Sequence, residues 1–226
     1  PIDEAETTSV VLPGLGASFD VTDWLTAFAG AHRGAALPPA RLAIGPDGQL
    51  AGFGPEISWT YEAGARVAAR DWLRADVTGF WVEVDDLIVA DPSRSGELIN
   101  AGLSRHLGVE SAATFDPLRA VGAPLRAPLR ASYTYLRATL EQGWQGNLLG
   151  NRVPYAPTHQ WAAQAALEHP LGLSAQATGR FVGRRFSDLA NSAAPSPDGR
   201  TGPLPAHFVL DARLAFLRTG EDTQTP

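Results

Sequence analysis

ISWTYEAGARV, from Ile57 to Val67, is the stretch whose reading decides the fold. Ile57, Trp59, Tyr61, Ala63, Ala65 and Val67 fall on one side of an extended chain. Ser58, Thr60, Glu62, Gly64 and Arg66 fall on the other. Successive side chains of a strand face opposite sides, so this segment needs oil on one face and a polar environment on the other. Its polar face carries charges at mid-strand, where a water-soluble sandwich more often puts its exposed rim or its packed core. A barrel with lipid outside and a wet lumen inside satisfies both faces at once.

The alternation restarts along the chain and predicts nine strands. The first covers Leu12 to Phe19, and a polar turn, Asp20 to Asp23, leads to Trp24–Arg33. After a Gly- and Pro-rich gap (Gly34 to Glu56) comes the strand already quoted. The fourth runs from Leu73 to Val89, with a phase slip near Gly79 that predicts a bulge. ADPSRSGEL makes the next loop, and a fifth strand runs from Ile99 to Phe115. The sixth is LRASYTY (Leu129 to Tyr135), the seventh His159–Glu168, the eighth starts at Leu173, and the ninth contains Phe208 to Phe216.

Connections alternate too. Short turns follow Phe19, Ala69 and Glu168, and long loops follow Arg33, Val89, Thr139 and Ser187. Pro117 to Pro128 is longer than its class. Short turns at one end and long loops at the other mark outer-membrane barrels, and soluble sandwiches have no reason for that asymmetry. Trp59, Tyr61, Tyr133, Tyr135, Trp161 and Phe181 all lie on the apolar phase, several near strand ends where interfacial girdles form.

Composition narrows the classes. In 226 residues no run approaches the roughly 20 apolar residues of a membrane-spanning helix. A net charge of −6 argues against nucleic acid as a partner, and the absence of cysteine rules out disulfides and thiolate metal sites. The chain opens at Pro1 without a charged-then-apolar leader and closes on the polar tail GEDTQTP, so it is expected to be a piece of a larger protein.

Catalytic chemistry finds no foothold. His32, His106, His159, His169 and His207 are scattered at strand ends and turns, without HExxH spacing. Ser132 and Ser174 have no histidine at a matching height. The run GPDGQLAGFGPE (Gly45 to Glu56) lacks the Lys-Ser/Thr ending of a phosphate cradle. No catalytic residue, metal site or cofactor is expected. The polar face instead carries Glu62, Arg66, Glu110, Arg130, Arg180 and Arg184. Charges in a dry site need water or partners, so these are expected to face a wet lumen, as an ion-pair network or as a path for an anion.

Five segments add specificity: LPGLGASFDVTDWLTAFAGAHRG (Leu12 to Gly34), NAGLSRHLGVE (Asn100 to Glu110), GNRVPYAPTHQ (Gly150 to Gln160), GRFVGRRFSDLANS (Gly179 to Ser192) and LPAHFVLDARLAF (Leu204 to Phe216). In this order they resemble the barrel of TonB-dependent outer-membrane receptors, in particular the ferric-citrate and ferric-siderophore branch. The likeness covers Leu12 to Phe216. It implies an all-β, antiparallel up-and-down meander of about nine strands, part of a 22-stranded barrel that an N-terminal plug closes. Residues 1–226 would be a partial barrel domain without the plug, the early strands or the closing strands. It further implies uptake of a ferric chelate across the bacterial outer membrane with energy relayed through TonB. Arg33 and Arg152, at loop junctions of the outer mouth, are the ligand residues expected on that basis, because arginine pairs bidentately with carboxylates. One departure is local: His32, Arg33 and Gly34 are followed by Ala35, Ala36 and Leu37 where the family has an aromatic and a Pro pair. The alternative is a soluble or surface β-sheet binding module. It differs in needing the Trp59 face to pack into a core.

Overall fold

A computed structural model of the chain describes residues 9–37, 54–90, 98–100, 102–142 and 148–217. Nine strands form one antiparallel sheet: β1 (Gly14–Thr22), β2 (Leu25–Ala36), β3 (Glu56–Ala68), β4 (Leu73–Asp85), β7 (Ser104–Phe115), β8 (Leu129–Leu140), β9 (His159–Glu168), β10 (Leu173–Val182) and β13 (His207–Phe216). Each pairs with its sequence neighbours in the sheet, in the order β1-β2-β3-β4-β7-β8-β9-β10-β13, and the sheet does not close. Two small hairpins lie in the loops, β5 (Ile88–Ala90) with β6 (Leu98–Asn100) and β11 (Arg185–Phe186) with β12 (Pro203–Leu204). A single helical turn, α1 (Pro117–Ala120), sits in the connection from β7 to β8.

Three expectations need correcting. The fourth strand stops at Asp85, because Ile88–Ala90 turns away to pair with Leu98–Asn100. The fifth strand therefore begins at Ser104 rather than Ile99. No bulge occurs at Gly79, where β4 keeps unbroken register with both β3 and β7. The alternation looked broken there because Phe80 faces the polar side. A Cβ on Gly108 would lie 2.4 Å from the Phe80 ring, so the ring covers the glycine. The irregularity falls instead between Asp20 and Thr22. The tail after Leu217, the loop segment Asp91 to Glu97 and most of the Gly45–Glu56 run lie outside the described residues.

The sheet has no core of its own. Among the described residues, the buried apolar side chains are Ala138, Leu140, Leu148 and Leu189, at the loop end. Large apolar residues stand out along the strands, including Leu15 (84 % exposed), Leu214 (81 %), Phe19 (71 %) and Leu210 (67 %). A soluble sandwich of this size would bury them between two layers. Here one layer leaves them bare, which only lipid makes favourable.

Aromatic residues belt that face. Trp59 and Tyr61 stack with ring centroids 6.2 Å apart, and Trp161 lies 5.9 Å from Phe181 and 5.7 Å from Phe208. Phe208, Phe181, Trp161 and Tyr133 are direct register partners. Carried on through Ser111 and Val77, the row reaches Ala65 on β3, whereas the belt there is at Tyr61, a drift of 65 − 61 = 4 positions over six strand steps. At the turn end, the row from Leu73 reaches Ala177 over four steps, whereas the rim residue is Leu173, again 177 − 173 = 4 positions. At about 3.3 Å per residue and 4.8 Å per strand, these drifts correspond to strands tilted by about 25–35° from the normal to the belt. A level girdle over tilted strands is the geometry of a barrel wall.

Candidate functional site

The face opposite the aromatic belt is built from the even positions of β3 and their register partners. Glu62 lies opposite Gly30 and Phe80, Arg66 opposite Thr26 and Asp76, and Glu110 opposite Thr78 and Thr134. Arg130 and Arg180 share this face. Arg130 Nη1 donates to Gln164 Oε1 at 3.0 Å, and Arg180 Nη1 pairs with Asp211 Oδ2 at 2.8 Å. The Arg66 guanidinium lies 4.6 Å from the centre of the Phe28 ring. The residues Glu62, Arg66, Glu110, Arg130 and Arg180 therefore occupy one face, as the alternation predicts. Arg184 lies beyond the end of β10, with its guanidinium 5.8 Å from the Phe186 ring. Arg66 and Arg130 stand toward the turn end, Glu62 and Glu110 lie mid-strand, and Arg180 lies toward the loop end.

At the loop end, three connections fuse into one body. Leu140, Leu148 and Leu189 form a small core, joined by Leu87 and Val153. Asn191, at φ 53°, takes a hydrogen bond from the Arg152 N–H at 2.7 Å and returns one to the Arg152 carbonyl at 2.9 Å. Asparagine tolerates that left-handed backbone better than most residues. Asp188, 8 % exposed, accepts from the Ser192 N–H and hydroxyl at 3.1 Å each and from the Gly202 N–H at 2.8 Å. The Tyr155 N–H donates to the Phe186 carbonyl at 2.7 Å, tying the two long loops together again. Such satisfied buried polar groups fix a loop in one conformation.

The two expected ligand arginines are not brought together. Arg152 forms a bridge with Thr139 and donates to the Thr158 hydroxyl inside the loop body. Arg33 stands opposite Trp59, on the belted face, and its Nη1 donates to the Val11 carbonyl at 3.2 Å. Arg185 was not singled out from the sequence. Its Nη1, like Arg33 Nε, is a buried donor without an acceptor among the described residues. The doubled arginine of GRRF was the available signal.

The turn end is tied by charge. Asp116, 2 % exposed, accepts from the Arg119 N–H (3.2 Å), the Ala127 N–H (3.1 Å) and Arg126 Nε (3.1 Å). Burial alone would raise its pKa, but these donors together hold it below the ordinary carboxylate value. Arg119 pairs with Asp71 at 2.6 Å, which links the β3–β4 turn to α1. Among the described residues, no three His, Asp or Glu side chains converge as a metal site.

The family profile described as TonB dependent receptor-like, beta-barrel, matches residues 3–221. Among solved structures, the chain is similar to the ferric citrate transporter FecA in its unliganded form, with 24 % identity and a TM-score of 0.73 over 93 % of this chain and 31 % of that one. It is also similar to the ferric yersiniabactin uptake receptor FyuA from Yersinia pestis (19 %, TM-score 0.67, 92 % of this chain and 30 % of that one). The copper transporter OprC matches with 17 % identity and a TM-score of 0.67, over 92 % of this chain and 31 % of OprC. The chain thus spans about a third of the length of the solved structures it matches. Proteins of this family are receptors and transporters of the bacterial outer membrane, not enzymes. With 219 of its 226 residues inside the profile (221 − 3 + 1 = 219), the chain belongs to the TonB-dependent receptor β-barrel family.

Proposed function

We propose that this chain forms part of the barrel wall of a receptor that takes up a ferric chelate, a siderophore or ferric citrate, across the outer membrane. The rest of the barrel, a plug in the lumen and TonB as the energy source would belong to the intact receptor. The observation that carries the proposal is the division of one sheet into a belted apolar face and a face of charges. Its long loops also gather into a fixed body at one end. The polar face would line the lumen, with Glu62, Arg66, Glu110, Arg130 and Arg180 on its wall.

The ligand in this proposal is a carboxylate-bearing chelate held at the loop end. Thr158, which holds the Arg152 guanidinium, adjoins His159, whose carbonyl accepts from the Gly183 N–H at 2.8 Å, and Arg184 and Arg185 follow. These contacts join the segments that carry Arg152, Arg184 and Arg185, and guanidinium groups are suited to carboxylates. Arg33, on the Trp59 face, serves as the comparison. Ferric citrate affinity of the intact receptor is the test, measured for Arg152→Gln, Arg185→Gln and Arg33→Gln. The proposal expects the first two to weaken binding about tenfold or more, the scale of a lost charged hydrogen bond. Absence of saturable binding by ferric citrate and by a panel of ferric siderophores overturns it.

A further inference from the structure

We infer that Arg74, Thr114 and Arg130 form a second anion site, at the turn end of the polar face, which takes a small anion bearing several carboxylates. This inference rests on the transport reading above, and adds to it a station on the exit side of the path.

Arg74, Thr114 and Arg130 are direct register partners on three adjacent strands, β4, β7 and β8. The two arginines are therefore two strand spacings apart, about 10 Å between Cα atoms, with a hydroxyl midway. All three line one cavity of about 380 Å³, together with Asp71, Trp72, Leu73, Arg119 and Arg126. Four arginines and one acid surround this space.

The existing partners leave positive charge over. Arg119 is matched by Asp71, and Arg126 by Asp116 at 3.1 Å and Glu168 at 3.9 Å. Arg130 meets only the neutral Gln164. Arg74 makes no hydrogen bond or ion pair among the described residues. On the same face, two residues from Arg74, Asp76 has Arg66 and Ala112 as its register partners. With Arg66 and Asp76 included, five arginines stand against Asp71, Asp76, Asp116 and Glu168, a net charge of 5 − 4 = +1. Two long guanidinium side chains at this spacing can close on one ligand. Each offers a two-donor fork, and the volume suits an anion the size of citrate.

A reporter thiol can be placed beside the clamp at Ser132, two residues along β8 from Arg130 on the same face. In the intact receptor, with any other cysteine replaced and Ser132→Cys as the single thiol, the rates of an anionic and a cationic methanethiosulfonate are compared with and without iron-free citrate. Relative to a free thiol, the anionic reagent is expected to gain about tenfold over the cationic one, the low end of charge focusing in a cleft. Citrate is expected to slow the reaction. Adding R74Q and R130Q should erase both effects. Adding R74K and R130K instead should keep the charge preference and lose the citrate protection, because lysine lacks the fork. Heat-modifiable gel migration reports folding in each case.

No charge preference, or no citrate protection in the parent, overturns the site. Protection that survives both lysines reduces it to diffuse attraction and overturns the clamp. A thiol that never reacts in the folded receptor also overturns it, since the arginines are then covered by the receptor's own polypeptide. The assay needs neither iron nor uptake. Absence of saturable binding by ferric citrate and by the ferric siderophores, with protection intact, sinks the transport reading alone.

Discussion

Replacing Ala177 with Arg puts the face assignment under direct strain. Ala177 lies four positions from Phe181 in the upper belt and four from Leu173 at the lower rim, and its register partners are Ala165 and Ala212. Four residues at about 3.3 Å, tilted by about 35°, place it roughly 11 Å below one rim and above the other, close to the middle of an apolar band about 25 Å tall. An arginine reaching about 7 Å cannot bring its charge to either interface without thinning the bilayer. The expected cost is about 2–4 kcal/mol. Ala65, opposite Ala27 and Val77 on the same face, should behave similarly. Thr178→Arg is the control, one residue along the same strand. Thr178 faces the other way, opposite Gln164 and Asp211, so a guanidinium there meets polar partners and should cost less than about 1 kcal/mol. The assay is reversible denaturant unfolding of the intact receptor in phospholipid vesicles, followed by tryptophan fluorescence, with the difference read from midpoints at constant slope. Equal costs at 177 and 178 would refute the alternation on which the account is built.

Gly108 and Gly79 should respond oppositely to alanine. A Cβ at Gly108 would meet the Tyr135 carbonyl oxygen at 2.4 Å, an overpacking worth about 1–3 kcal/mol, whereas the nearest atom to one at Gly79 is 3.9 Å away and the change should be neutral in the same unfolding assay. Asp116→Ala should cost about 1–3 kcal/mol by stranding two backbone N–H groups and Arg126. Because the Asp116 pKa is lowered on folding, its contribution is complete above the unfolded carboxylate value near 3.9 and lost as pH falls through the folded value. An acid titration of stability should therefore fall more steeply for the parent than for Asp116→Ala below about pH 4. Asn191→Ala removes both bonds to Arg152, and limited proteolysis should then cut the 183–206 loop faster while the strand segments stay protected.

Much of this architecture was legible because strand faces are written directly into residue parity. His159–Glu168 was read to the residue, bounded on one side by the His169–Gly172 turn and alternating without a break. Segments failed where apolar residues serve another purpose. Leu87, Ile88 and Val89 continue the oily look of β4, yet Leu87 packs under the loops and Ile88–Ala90 pairs in its own hairpin. Leu136 to Leu140 extend β8 past the quoted LRASYTY, and Leu140 there anchors the loop core, a contact between residues far apart in sequence. Phe80 disguised an unbroken strand as a bulge because its role is to cover Gly108 across the sheet. The loop arginines were harder. Parity places a residue on a face only while the strand lasts, so Arg152, Arg184 and Arg185 took their places from loop contacts no periodicity encodes. The Arg74–Thr114–Arg130 row needed the register of three strands before it could be seen.

Lipid on one face of the sheet and water on the other can be read out residue by residue along β3. Single cysteines from Ile57 to Val67, spin-labelled one at a time in the intact receptor in bilayers, report collision with dissolved oxygen, which concentrates in lipid, and with a water-soluble nickel chelate. A period of two is expected: labels at 59, 61, 63, 65 and 67 favour oxygen, most strongly at Ala63 and Ala65 between the belts, while labels at 58, 60, 62, 64 and 66 favour the nickel chelate or are shielded from both. Labels on the Trp59, Tyr61 and Ala63 face that collide with neither reagent, as in a packed soluble core, or with the nickel chelate as readily as their neighbours, would contradict it.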